Sequence, residues 1–478
     1  MNSGSYLAID LGAESGRALL GKLRNGILTM EEVRRFPNQP LRDASALRWD
    51  VSKLWQEVQT SLAAVANHLL DGVGVDAWGV DYALLDARGS LMENPYHYRD
   101  TRTNGMMEQA FGMVSKEDVY AATGIQFMQI NTLFQLLAHL RNAPGALLSA
   151  AQLVTIPDLF HYWLTGKAVC EYTNATTTQM VNPVTRAWHT DLITRLGLPP
   201  ALPAEIVEPG TILGTLAHSR TPVIVPASHD TASAVAAISA RGNTAFISSG
   251  TWSLVGTELD APLITAETLR LNFTNEGGAN GTTLLLKNVM GLWMLQGCRH
   301  AWAAAGRDYS YSDLMQAAQQ EPAFRSLVDP DHESFLNPAD MPAAIANFCA
   351  RTGQPPPGNP GALTRCVLES LALKYQVVIA NLERVTGHTM EVIRVIGGGA
   401  KNRLLNQFTA DATGRRVLAG PTEATALGNI AVQLVATGRA NSLQEAREIV
   451  ERSFPVEIFE PRDAAEWEAA SARSGQIG

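Results

Sequence analysis

Short runs of apolar residues separated by glycine-rich turns dominate the start of the chain. YLAID (6–10) reads as a strand, DLGAESG (10–16) as a turn, and RALLGKL (17–23) alternates as a second strand. A third, ILTMEEVRRF (27–36), follows the Asn25-Gly26 turn signal. Apolar residues then recur at helical spacing from Val51 to Leu70, and GVGVDAWGVDYALLD (72–86) returns to strand character, split by its aspartates. Helical patterns run from about Glu108 to Thr165, where Gly166 supplies a stop. TPVIVPAS (221–228) is a strand that leads into a helix over HDTASAVAAISA (229–240).

After Gly242 the opening pattern begins again, with TAFISSG (244–250), a turn, and TWSLVGTE (251–258). A strand–glycine turn–strand unit near residue 12 and another near residue 250 predict a duplicated core with a boundary at 236–242. The last third is helical except for the apolar strand VIRVIGGG (392–399), and DAAEWEAASARS (463–474) predicts a terminal helix.

Length supports the division. At 478 residues the chain exceeds the size at which one core keeps growing, so we expect an N-terminal domain over 1–236 and a C-terminal domain over 242–478. Apolar residues make up 46% and charged residues 17%, a foldable globular balance. The net charge of −9 comes with no basic stripe, which argues against a nucleic-acid partner. No stretch reaches roughly 18 uninterrupted apolar residues, so no membrane span is expected. The start MNSGSYLAIDLG lacks a basic segment followed by an apolar one, so no secretory signal is expected and the location predicted is cytoplasmic. Cys170, Cys298, Cys349 and Cys366 show no metal-ligand spacing; Cys349 and Cys366 could bridge a short loop, but free thiols are expected.

The chemistry concentrates at the turns. Small residues in DLGAESGR (10–17) let backbone N–H groups approach an anion. Gly16 to Lys22 fits GxxxxGK, but Leu23 replaces the required Ser/Thr and the segment alternates as a strand, which excludes a P-loop. SSGTWS (248–253) is a second such turn with hydroxyls that can donate to phosphate oxygens. Either turn alone is an ordinary hairpin. Two in equivalent halves match an α/β arrangement of two actin-like ATPase (ribonuclease H-like) domains about a central cleft, with a nucleotide's phosphates between the turns. IGGGAKN (396–402) follows a strand, where three glycines suit either a tight turn or a flat ligand such as adenine.

ASHDTASAV (227–235) puts Asp230 where a strand meets a helix. It either caps the helix or serves as a carboxylate at a strand end, held ionised by the helix N-terminus and ready to accept a hydroxyl proton. Trp78 could stack on a sugar face, and Asp81, Asp100 and Arg102 could bond its hydroxyls.

With these motifs in order, the chain resembles the FGGY family of carbohydrate kinases. The similarity runs from DLGAESGR to GPTEATALGN and is strongest in DAWGVDYALLD, YRDTRTNG, TGIQFMQINTLFQL, EYTNATTTQMVN, ASHDTASAV, SSGTWSL, TNEGG, LKNVMGLWMLQ and GGGAKNRLLNQ. The resemblance implies that Ala13, Glu14, Ser15, Gly16 and Arg17 contact the phosphates of ATP, together with Thr251, and that Gln296 and Gly398 complete the nucleotide site. It implies that Gly79, His229, Asp230, Thr231 and Asn288 hold the sugar, that Asp230 accepts the proton, and that Asp10 lies near Mg²⁺. Glu14 departs from the small residue common in similar proteins, so its side chain is expected to point away and only its backbone to contribute. The implied reaction is transfer from MgATP to the C1 hydroxyl of L-rhamnulose in L-rhamnose catabolism, by a monomer or weak homo-oligomer. Fuculose or xylulose is the nearer alternative, and an actin-like ATPase with no sugar acceptor the more remote one.

Overall fold

The computed structural model describes residues 3–42, 46–462 and 464–475. These pack into two units, of which the first draws on both sides of 236–242. The first comprises residues 1–239, 258–285 and 424–454; the second comprises 240–257, 286–423 and 455–478.

The first unit is organised by a six-stranded sheet. Its strands are β1 (Ser3–Leu11), β2 (Ser15–Arg24), β3 (Ile27–Pro37), β4 (Gly72–Ala77), β5 (Ile212–Thr215) and β6 (Pro222–Ile224). They lie in the order β5-β6-β4-β1-β2-β3. β1 is central and runs antiparallel to β2 and parallel to β4. Tyr6 to Leu11 are all buried, as expected for a strand covered on both faces. β3 forms an edge and carries Glu31, Glu32, Arg34 and Arg35, charges that guard an exposed strand against further pairing. The helix Ala424–Ala436, apolar on nearly every side, is buried through most of its length and packs on β1, β4 and the helix Asp230–Ala236. Sequence periodicity placed that helix with the second half of the chain.

In the second unit the strands β7 (Thr244–Ser249), β8 (Trp252–Leu259), β9 (Thr283–Met290), β10 (Val392–Ile396), β11 (Arg416–Ala419) and β12 (Glu457–Phe459) follow the order β9-β8-β7-β10-β11-β12. β7 and β8 form an antiparallel hairpin, and β7 runs parallel to β10. The two hairpins are those the periodicity predicts. Residues 108–165, expected to be helical, also contain the strand Gln152–Thr155. The terminal helix covers Ala464–Ser474; Asp463, at the start of the expected segment, lies outside the described residues. All four cysteines are free and buried. Among the described residues no helix is long and apolar enough to cross a membrane.

Candidate active site

Strand register brings three charges of the first unit into a row. Asp10 on β1 stands opposite Asp76 on β4 and opposite Arg17 on β2. Arg17 donates to Asp10 Oδ2 from Nε at 2.8 Å and approaches it with Nη2 at 2.7 Å. The guanidinium expected on phosphate thus also grips the carboxylate expected near the metal. Asp76 is fully buried and takes a bond from Asn429 Nδ2 at 2.6 Å, while its Oδ1 is buried without a hydrogen-bond partner. Burial, and then the charge of Asp10, push its carboxyl well above the usual carboxylate range.

The β1–β2 turn is closed by a bond from the Gly12 N–H to the Ser15 carbonyl, and Asn38 clamps it by donating to the carbonyls of Gly12 and Glu14. Ala13 and Ser15 are half-buried, Gly16 is buried, and Glu14 is exposed.

Asp230 opens a helix of seven residues, Asp230–Ala236. His229 occupies the capping position and makes no side-chain cap, so Asp230 is not the cap that its isolated motif suggests. Nor does the helix hold its carboxylate in the usual ionised range. Burial first, and the negative charge of Asp10 second, push Asp230 up to about 7, against the opposing bonds from Thr231 and the charge of Arg17. So short a helix offers less than those two effects combined. Its side chain keeps 33% of its surface accessible.

The preceding strand end is held from below. Buried Glu171 accepts from the N–H and hydroxyl of Ser228 at 2.9 and 2.7 Å, and from Thr173 and Asn174. Thr173 Oγ1 in turn accepts from the His229 N–H at 3.1 Å. Burial raises Glu171 to about 7 despite these donors.

The segment after β4 corrects three expectations. Asp81 is buried and its carboxylate is occupied by protein donors: Trp49 Nε1 at 2.5 Å, Trp78 Nε1 at 2.9 Å and Gln135 Nε2 at 2.8 Å. Asp100 accepts from the N–H groups of Leu47 and Arg102. Arg102 donates to Gln135 and lies over the Tyr96 ring. Each of these groups is engaged in bonds that hold the loop. Trp78 is itself 5% exposed, tilted against Trp49 with ring centroids 4.1 Å apart. What they hold is Gly79, packed against Thr177, and Val80, whose φ of 66° is unusual for a β-branched residue. Thr177, Thr132 and Gln135 all bond the Val80 backbone and keep it there.

In the second unit, packing collects the expected nucleotide residues at one end of the sheet. The carbonyls of Gly250 and Thr251, at the β7–β8 turn, accept from Leu292 and Trp293 at 3.0 and 3.1 Å. This fastens the start of the helix Trp293–Ala304, which carries Gln296, to the turn. Gln296 Oε1 is buried without a hydrogen-bond partner. The glycines after β10 divide. A Cβ at Gly399 would stand 2.0 Å from Ser249 Oγ, so close backbone approach requires that glycine, whereas a Cβ at Gly398 would meet nothing within 4 Å. Of the three, Gly398 is the one that faces open space. Asn288 lies half-buried on β9 of this unit.

A divalent cation tests the acidic row. Among the described residues no group of three ligating side chains stands together. A site of one or two carboxylates completed by phosphate oxygens and water suits Mg²⁺, and Asp10 with the orphaned Oδ1 of Asp76 fits that pattern.

Residues missed by sequence reasoning are Asp76, Glu171, Glu276 and Asn429. Each lies inside a motif that carries the family resemblance, Asp76 in DAWGVDYALLD, Glu171 in EYTNATTTQMVN, Glu276 in TNEGG and Asn429 in GPTEATALGN, but nothing local singles it out there.

Residues 5–236 match the N-terminal domain, and residues 245–437 the C-terminal domain, of the FGGY family of carbohydrate kinases. The chain is 45% identical over 477 residues to a rhamnulokinase of Bacteroides thetaiotaomicron, covering 98% of each chain. It is 41% identical over 462 residues to a rhamnulokinase of Oceanobacillus iheyensis, covering 95% of this chain and 97% of that one. Among solved structures, a ligand-bound xylulose kinase from Lactobacillus acidophilus aligns with a TM-score of 0.82 at 16% identity, covering 99% of this chain and 97% of that one. A Plasmodium falciparum glycerol kinase with ADP aligns at 0.77 and 14% identity, with the same coverage. At such identities these two share the fold.

Proposed function

The chain belongs to the FGGY family of carbohydrate kinases, and we infer that it phosphorylates L-rhamnulose at O1 with ATP, giving L-rhamnulose 1-phosphate and ADP in L-rhamnose catabolism. The observation that carries the choice of sugar is the 45% identity to a rhamnulokinase across 98% of both chains.

Transfer of a phosphoryl group passes through a loose, in-line transition state, so the protein's work is positioning and charge stabilisation. In the first unit we assign proton uptake from the sugar hydroxyl to Asp230, sugar contacts to Gly79, His229 and Thr231, and phosphate contacts to the backbone from Ala13 to Arg17. In the second unit we assign phosphate contact to Thr251, the rest of the nucleotide to Gln296 and Gly398, and a sugar contact to Asn288. Mg²⁺, held by Asp10 and Asp76 with phosphate oxygens, would supply charge neutralisation. A carboxyl group near 7 suits a general base at neutral pH: a substantial share is ionised, and the ionised form has strong affinity for a proton. We place the reaction in the cytoplasm, where ATP is available, in a monomer or weak homo-oligomer.

Rates of ADP release with L-rhamnulose, fuculose and xylulose test the sugar. A higher kcat/KM for L-rhamnulose is expected; preference for another ketose overturns that choice, and sugar-independent ATP hydrolysis overturns the kinase assignment.

A further inference from the structure

The TNEGG segment, given no role above, places a third titratable group on the Asp230 side of the first unit. Glu276 lies on the buried strand Thr274–Gly277, with its side chain 6% exposed. Its Oε2 is 3.3 Å from His229 Nδ1, and His229 Nε2 is 3.4 Å from Asp230 Oδ1. The imidazole stands between two carboxylates, one near each ring nitrogen, at ion-pair distance and with no hydrogen bond formed to either.

The frame holding this row is rigid. The N–H of Gly277 donates to Thr176 Oγ1 at 2.9 Å, and the N–H of His229 donates to Thr173 Oγ1 at 3.1 Å. Both ends are tied to the same short helix, Tyr172–Thr177. Asn275 adds bonds to Gly124 and Leu263, so the Glu276 strand is fixed on its other side as well.

We propose that Glu276 is a positioning residue that sets the tautomer of His229 and thereby strengthens Asp230 as a proton acceptor. The inference rests on the assignment of Asp230 as the base. Burial pushes His229 below its ordinary value, so the ring is neutral and carries one N–H. The two carboxylates compete for that proton. Glu276 is almost wholly buried, where a charge acts more strongly, while water reaches a third of the Asp230 side chain. The proton therefore settles on Nδ1, and Nε2 turns a lone pair toward Asp230.

That lone pair repels an ionised Asp230 and accepts a hydrogen bond from a protonated one. Both effects favour proton uptake. When the sugar O–H bond breaks, an Asp230 Oδ–H bond forms and donates to His229 Nε2; Glu276 and His229 keep the protons they had. The opposite tautomer would donate Nε2–H to the carboxylate, hold it ionised, and weaken it as a base.

Nitrogen-15 NMR of histidine-labelled protein, with His229→Gln for assignment, reads the tautomer directly. The expected result is Nδ1–H in the wild type. In Glu276→Leu the proton moves to Nε2 and kcat falls about tenfold, with the KM for ATP unchanged. Nε2–H in the wild type overturns the proposal, and so does either variant effect without the other. Should the leucine variant fail to fold, Glu276→Gln carries the same pair of measurements. Asp230→Asn separates the two assignments. If it stays active, the base is wrong whatever the tautomer; if it is inactive and wild-type His229 is Nε2–H, only the role of Glu276 falls.

Discussion

A Cβ placed on Gly428 would stand 1.6 Å from the carbonyl oxygen of Ser233 and 2.7 Å from its carbonyl carbon. The helix Ala424–Ala436 therefore meets the helix that begins at Asp230 backbone to backbone. One residue on, Asn429 bonds Asp76, and Gln433 bonds Asn429 at 2.7 Å. A single helix thus supports both the Asp230 helix and the acidic row.

Gly428→Ala must push those helices apart. Overpacking of a core site costs roughly 1–3 kcal/mol, and the displaced helix carries Asp230 with it. Urea denaturation should show a lower midpoint, and kcat should fall beyond what the unfolded fraction explains. A variant with wild-type midpoint and kcat would show that the two helices separate freely.

Asp230→Asn removes the carboxylate assigned as proton acceptor while keeping the side chain's shape. Turnover should fall on the order of 10²- to 10⁴-fold, the usual worth of a general base, with ATP affinity by calorimetry unchanged. Turnover within a few fold of wild type contradicts the assignment.

The pH dependence follows from the raised Asp230. Only its ionised form accepts a proton, and burial with Asp10 lifts the midpoint from its ordinary 3.8 to about 7. Activity is then lost as pH falls through about 7, not near 4. Water at the accessible third of the side chain tempers the shift, so the limb should fall at or slightly below that value. The profile of kcat/KM for the sugar reports the free enzyme and measures this directly. A limb near 4 would mean that Asp230 titrates at its ordinary value and that burial and Asp10 do not raise it.

Glu171 should leave a signature in stability. Its folded value of about 7 exceeds the ordinary 4.5, so between those limits the folded state binds a proton that the unfolded chain has released. The group's contribution is present in full below about 4.5 and is lost as pH rises through 7. Glu171→Gln cannot titrate and turns an N–H donor toward the Ser228 and Thr173 donors, costing about 1–3 kcal/mol. Denaturation at several pH values should show a less stable variant whose stability declines less steeply across that window. Parallel curves for the two proteins would refute the linkage.

Both glycine-turn hairpins, the third strand over 27–36, and the strand-to-helix junction at Asp230 could be read from residue order. Alternation, turn chemistry and helical spacing are local, and nearby residues suffice to specify them. The same local view misled at Asp81, Asp100 and Arg102. Polar side chains on a loop look alike whether they await a ligand or brace the chain, and only the partners found at Trp49, Trp78, Gln135 and Leu47 tell the two apart.

From residue order alone came the fold class, the two glycine-turn hairpins and the motif that holds Asp230: the features encoded by short-range pattern. Folding added the environment that gives those residues their chemistry. Asp10 and Asp76 become neighbours only through strand register, Asn429 reaches Asp76 across 353 positions, and Glu276 meets His229 only because both are tied to one short helix. Burial and the approach of like charges are properties of the assembled chain, and they set the Asp230 carboxyl near neutrality, where a sequence motif would have left it fully ionised.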